Sequence, residues 1–146
     1  MPDARPTGLE HELRRAAAFR AALRRFSART EEVAAAAGLT PQRYDLLLAI
    51  RAAPEATSTV TELSRRLQLR QTAVTELVKR AEEAGLLLRL PSPQDGRVTL
   101  LRLSNEGERR LMHAFEALRE DRDEVRRVLR EVGARFREYA ASAGSS

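Results

Sequence analysis

Residues 59–103 read TVTELSRRLQLRQTAVTELVKRAEEAGLLLRLPSPQDGRVTLLRL, and this stretch decides the fold. Thr59, followed three residues later by Glu62, fits a capping box, in which each side chain satisfies a backbone N–H of the other at the start of a helix. Leu63 and Leu67, four apart, give that helix a short apolar stripe. Gln68, Leu69 and Arg70 make a tight connection to a further helix over residues 71–84. That helix carries Val74, Leu77, Val78 and Ala81 on its inner side, and Gly85 closes it. The apolar period then changes. Leu86 to Leu90 reads as a short strand, Pro91 to Gly96 as a polar turn, and Arg97 to Leu103 as a second strand. A lone hairpin is only marginally stable in water, so this one is expected to pack on the helices before it.

Helix, short turn, helix and hairpin in that order make a winged helix-turn-helix, mainly α with a small β wing. In such units the second helix lies in the DNA major groove and its exposed N-terminal half reads base edges. Here that half presents Gln71, Thr72, Thr75 and Glu76, with Lys79 one turn further on. Glutamine can pair bidentately with adenine, threonine can meet a base edge or a thymine methyl, and glutamate can accept from cytosine. Arg70, Lys79 and Arg80 are placed for phosphates, contacts that orient a protein without specifying sequence. Arg97, just after Asp95-Gly96 on a narrow loop, suits a narrow, electronegative minor groove. Asp95 has the wrong sign to meet DNA and is expected to brace the wing through a salt bridge with Arg89.

Working outward, residues 9–37 read as one long helix, with Ala16, Phe19, Leu23, Phe26, Thr30, Val33 and Ala37 at alternating spacings of three and four. Gly38 is placed to end it, and Thr40 with Pro41 to cap and start the next. That second helix carries Tyr44, Leu47, Leu48 and Ile50, and residues 54–58 form a loop. Ser104 caps a last helix running to about residue 140, with Leu111, Phe115, Leu118, Arg122, Val125, Leu129, Val132 and Phe136 in a heptad-like stripe. The acidic cluster at Asp121, Asp123 and Glu124, or Gly133, could break it. The stripes of the two terminal helices either pack within one chain or cover one another in a pair of chains. The resulting organisation is a disordered arm over 1–8, a helical region over 9–38 and 104–140, the winged helix-turn-helix over 39–103, and a disordered tail over 141–146.

The 146 residues are enough to bury a core without cross-links. There is no cysteine, which excludes disulfides, thiolate metal sites and thiol oxidation. No apolar run is long enough for a membrane span, and the first eight residues hold no apolar core of a signal peptide, so a cytoplasmic place is expected. The net charge of +5 is unevenly placed: residues 61–103 carry 8 basic and 5 acidic groups, while residues 104–146 carry 9 of each. Lys79 is the single lysine among the 26 basic residues. An excess in one compact segment suits a partner with phosphates, and interspersed balanced charge suits a solvated helix face. His11 and His113, the two histidines, have no metal-ligand spacing. Gly85, Gly96 and Gly107 read as terminus or turn glycines rather than a phosphate-binding loop. No enzyme, metal or cofactor is therefore expected. The competing reading is a helical ligand- or protein-binding module derived from a winged helix but without DNA binding. The retained set Thr72, Thr75, Lys79 and Arg97 separates the two.

These motifs resemble the multiple-antibiotic-resistance regulator (MarR-like) family over roughly residues 9–140. Residues 39–47 look like the start of that family's second helix and Glu62 to Leu67 like its third. Residues 72–80 and 85–89 look like its recognition helix and first wing strand. Pro93-Gln94-Asp95-Gly96-Arg97 matches its wing tip, and Leu103 to Gly107 the start of its fifth helix. The resemblance implies a homodimer joined by its first and last helices, with two recognition helices in successive major grooves of a pseudo-palindromic operator. It makes Arg97 the minor-groove residue and Asp95 its brace. It implies a repressor released by a small, often aromatic, compound, for which Phe19, Phe26, Tyr44 and Phe115 are the candidate pocket residues. Arg70 departs from the short hydroxyl or acidic cap common in the family, and Glu76 from its basic or small residue.

Overall fold

In the computed structural model of the protein, residues 7–143 are described, with side chains through residue 134. Residues 1–6 of the expected arm and 144–146 of the expected tail lie outside the described residues. The chain divides into two compact units, one of residues 30–117 and one of residues 1–29 with 118–146.

In the first unit, the end of helix α1 (Gly8–Ala36) leads to α2 (Pro41–Arg51), a short 3-10 turn (Pro54–Ala56), α3 (Val60–Leu67), α4 (Gln71–Glu83), β1 (Leu87–Pro91), β2 (Thr99–Leu103) and α5 (Asn105–Ala117). The caps form as their residue types require. Thr40 accepts from the Arg43 N–H at 3.1 Å. Thr59 accepts from the Glu62 N–H at 3.2 Å while Glu62 accepts from the Thr59 N–H at 3.1 Å, which completes the capping box. Gly85 takes φ +74, and the Leu86 N–H turns back to the Ala81 carbonyl at 2.9 Å. Only a residue without Cβ adopts that conformation freely, and it swings the chain from α4 into β1. Gln68 plays the same part between α3 and α4 at φ 55, with a full side chain.

The core of this unit gathers around α2. Leu46, Leu47, Ile50, Leu63, Val74, Val78, Leu86, Leu101 and Leu111 are all fully buried. Leu46 belongs to the core, whereas Leu48, expected there, is only half-buried. The hairpin pairs antiparallel in the register Leu87 with Leu103, Arg89 with Leu101 and Pro91 with Thr99. Its strands are shifted from expectation. Leu86 precedes β1, Pro91 ends it, and Arg97 and Val98 belong to the loop.

Three clasps hold the hairpin on the helices. Ser58, in the stretch expected to be plain loop, is fully buried and exchanges both backbone hydrogen bonds with Leu101, at 3.1 and 2.8 Å, as a one-residue third strand. Its hydroxyl donates to Glu62 at 2.9 Å. Ser104 caps α5 by accepting from the Gly107 N–H at 3.0 Å. It also donates its hydroxyl to the Gly85 carbonyl at 2.6 Å and its N–H to the Leu86 carbonyl at 2.9 Å. Arg89 on β1 donates to both oxygens of Glu82 on α4, at 2.8 and 2.9 Å. Gly107 stands in the first turn of α5, the terminus position expected of it, and packing requires its lack of a side chain as well. It is buried there, and a Cβ would overlap the Leu86 carbonyl oxygen.

The second unit holds the first part of α1 and α6 (Arg119–Ala143). Thr7 caps α1 by accepting from the Glu10 N–H while Glu10 accepts from the Thr7 N–H, so the helix begins within the span expected to be arm. Arg25 pairs with Glu124 at 3.1 Å and Arg29 with Asp121 at 3.7 Å. The expected single last helix is two, divided at Leu118, ahead of the acidic cluster. Helix α6 passes through Gly133 unbroken and continues to Ala143, into the segment expected to be tail. Leu9 and Leu13 on α1 are 69% and 60% exposed, and Leu129 on α6 is 48% exposed. No helix among the described residues is long and apolar enough to cross a membrane.

Candidate nucleic-acid interface

Helix α4 is two-faced. Val74, Val78 and Ala81 are fully buried and Leu77 half-buried, so the opposite face carries Gln71, Thr72, Thr75, Glu76, Lys79 and Arg80, all exposed. The order of apolar and polar residues dictates this: the buried positions recur at spacings of three and four, which turns every intervening residue outward. Arg70 stands at the N-cap of α4 in extended backbone, and no side chain caps the helix. Its first turn also holds no acidic residue.

The hydrogen-bonding groups on this face are partly committed within the protein. The Thr75 hydroxyl donates to the Gln71 carbonyl at 2.8 Å. It keeps an acceptor lone pair and its methyl for a partner, and has no hydrogen left to give. The Gln71 amide nitrogen donates across the turn to the Thr61 hydroxyl on α3, at 3.4 Å. Arg80 lies 4.0 Å from Glu76, the loose spacing of an exposed pair.

The wing tip is closed by short-range bonds. The Ser92 N–H donates to Val98 and the Val98 N–H to Asp95, at 2.9 and 3.0 Å. The Ser92 hydroxyl accepts from the N–H groups of Gln94 and Asp95. Asp95 accepts from the Arg97 N–H at 3.1 Å and from its Nε at 3.3 Å. The Arg97 side chain is 93% exposed. The expected Asp95–Arg89 bridge does not form. The reversal at Gly85 runs β1 back beside α4, which brings Arg89 to Glu82, while Asp95 stays at the tip with Arg97. The Glu82 carboxylate raises the Arg89 guanidinium above its ordinary range, chiefly through these hydrogen bonds.

The four candidate pocket aromatics are distributed between the units. Tyr44 is buried on α2 and Phe115 half-buried on α5, in one unit; Phe19 and Phe26 are half-buried on α1, in the other. Two open depressions of the surface, one beside Glu62, Arg65 and Arg66 and one along α6 at Glu120, Asp123, Glu124, Arg126, Arg127 and Arg130, are lined by none of them. His11 and His113 are exposed, and among the described residues no three His, Asp or Glu side chains cluster to hold a metal ion.

Thr61 escapes sequence reasoning. It is an exposed polar residue in the first turn of α3, and only the turn at Gln68 brings it beside Gln71. The buried pairing of Ser58 with Leu101 escapes it too, because one residue has no period.

Residues 37–98 match the MarR family. An uncharacterised HTH-type transcriptional regulator of Bacillus subtilis (strain 168), YdgJ, is 31% identical over 111 residues, covering 70% of this chain and 66% of its own length. The HTH-type transcriptional repressor IacR of Pseudomonas putida is 35% identical over 63 residues, 43% of this chain and 38% of its own. The matched stretch thus spans just under two thirds of the first relative and well under half of the second. Among solved structures, a cysteine-to-serine mutant of MarR from E. coli, complexed with operator DNA, is similar with a TM-score of 0.65 at 19% identity, covering 97% of this chain and 100% of that one. That likeness is one of fold.

Proposed function

We propose that this chain, whose residues 37–98 match the MarR family, is a sequence-specific double-stranded DNA-binding transcriptional regulator of that family, a homodimeric repressor released by a small effector. One observation carries the reading. The face of α4 opposite the core is wholly polar and exposed, from Gln71 through Thr72, Thr75 and Glu76 to Lys79, and the exposed Arg97 stands at the tip of a hairpin clasped to the same helix. A helix that reads base edges needs donors and acceptors on one side and a rigid support on the other. Arg70, Lys79 and Arg80 at its margins supply charge for phosphates.

The dimer is supported by the apolar residues that single units leave open, Leu9, Leu13 and Leu23 on α1 and Leu129 and Val132 on α6. Repression is supported by the name of the IacR relative. A bound effector is the switch that a chain without cysteine leaves to the family pattern. The reading has the protein act in the cytoplasm, with no enzymatic activity, metal or cofactor.

Selection of bound duplexes from a random pool tests the proposal. A dimer should recover half-sites related by a two-fold axis, with centres roughly 10 base pairs apart. Failure to retain any duplex at low salt would refute DNA binding.

A further inference from the structure

Gln71 opens α4 and is exposed, so nothing in its burial fixes the amide. A hydrogen bond does: its Nε2 donates to Thr61 Oγ1 on α3, 3.4 Å away. A primary amide holds two donor hydrogens on nitrogen and an acceptor oxygen. With one hydrogen given to Thr61, it has one donor and one acceptor to present outward. In the major groove that pair matches the N7 acceptor and N6 amino donor of adenine. Guanine offers two acceptors there, cytosine an amino donor, and thymine an acceptor beside a methyl group.

The two polar residues that follow Gln71 by four and five positions do not offset this choice. The Thr75 hydroxyl has spent its hydrogen on the Gln71 carbonyl, and the Glu76 carboxylate only accepts. Neither can donate to guanine. We propose that Thr61, which lies outside the reading helix, is a positioning residue that sets the Gln71 amide for adenine, giving each half-site one adenine that depends on both residues. This deepens the DNA-reading proposed above and rests on it.

The test repeats the random-pool selection with wild type, Gln71→Ala, Thr61→Val, Thr61→Ala and Thr61→Ser, each first checked by thermal melting. Thr61 is exposed and is not a member of the Thr59–Glu62 capping pair, so two variants that remove the hydroxyl guard against a local failure in either. Wild type should select adenine at one position per half-site, and Gln71→Ala should erase that choice. Thr61→Val and Thr61→Ala should lower the preference at that position by roughly five-fold or more, leaving the other positions and the affinity for random duplex unchanged. Thr61→Ser should retain the preference. An adenine preference unchanged in both Thr61→Val and Thr61→Ala overturns the assignment, as does guanine at the position that Gln71→Ala erases. A wild type that binds no duplex refutes DNA reading itself, a different result from bound duplexes with the wrong base.

Discussion

Gly107→Ala tests the packing that seats α5 on the wing. The added Cβ would overlap the Leu86 carbonyl oxygen, which is backbone and cannot rotate away. Relief requires α5 to shift from the corner between α4 and β1. That corner is held by the Ser104 hydroxyl on Gly85 at 2.6 Å and the Ser104 N–H on Leu86 at 2.9 Å. Each such bond contributes about 1 kcal/mol net, and overpacking a filled interior costs about 1–3 kcal/mol. Replacing glycine by alanine inside a helix returns about 1 kcal/mol. The balance is a loss of about 2–4 kcal/mol, a large share of the 5–15 kcal/mol typical of a domain. For a chain of this size the melting temperature should fall by roughly 5–15 °C. Urea and thermal unfolding at one fixed protein concentration measure it, with Gly133→Ala as the control. At Gly133 nothing lies within 4 Å of an added Cβ, so that variant should gain about 0.5–1 kcal/mol from helix propensity alone. A Gly107→Ala protein as stable as wild type would refute the packing argument.

Three further outcomes are expected. The Thr59 N–H, and next the Ser58 hydroxyl, hold the Glu62 carboxyl below its ordinary 4.5. Its stabilisation is therefore full above that value and lost as pH falls through the lower folded value. Glu62→Gln should flatten the decline of stability below pH 4.5, and a decline parallel to wild type in urea titrations would count against it. In mobility-shift assays Arg97→Ala should weaken specific binding by about 1–3 kcal/mol, whereas Lys79→Ala should lower the slope of log affinity against log salt by about one; equal slopes for Lys79→Ala and wild type would remove it from the phosphate contacts. Gln68 holds φ 55 with a side chain, so Gln68→Gly should raise stability by up to about 1 kcal/mol, and a lower melting temperature would contradict that strain.

Much of the lobe was legible because its signals are local. Thr40, the Thr59–Glu62 box and the Gly38 and Gly85 termini each act within one helical turn, and the two faces of α4 follow from residue spacing alone. The features that escaped are those where distant segments choose one another. Arg89 found Glu82 instead of Asp95 because a chain reversal at Gly85 aimed it there. Gly107 is small because of a carbonyl that only the fold brings near. Leu46 is buried and Leu48 half-buried because α2 is covered on several sides by α3, α4, α5 and β2, so one stripe does not describe it. On the candidate site, the exposed residues of α4 and the tip arginine were read from sequence. The commitment of their hydrogen-bonding atoms to Thr61 and to Gln71 was not, since residue type states how many donors a side chain has and not where they go.

The three clasps on the hairpin, Ser58 with Leu101, Ser104 with the α4–β1 corner and Arg89 with Glu82, make α4 and the wing tip a grip with two prongs of preset spacing. For the proposed DNA contact, seating one prong delivers the other at an effective concentration set by a short, stiff span. Little ordering entropy is then left to lose in the second contact. The same stiffness has a regulatory corollary: a signal reaching this lobe would withdraw both prongs together, so release should be all-or-none at each half-site.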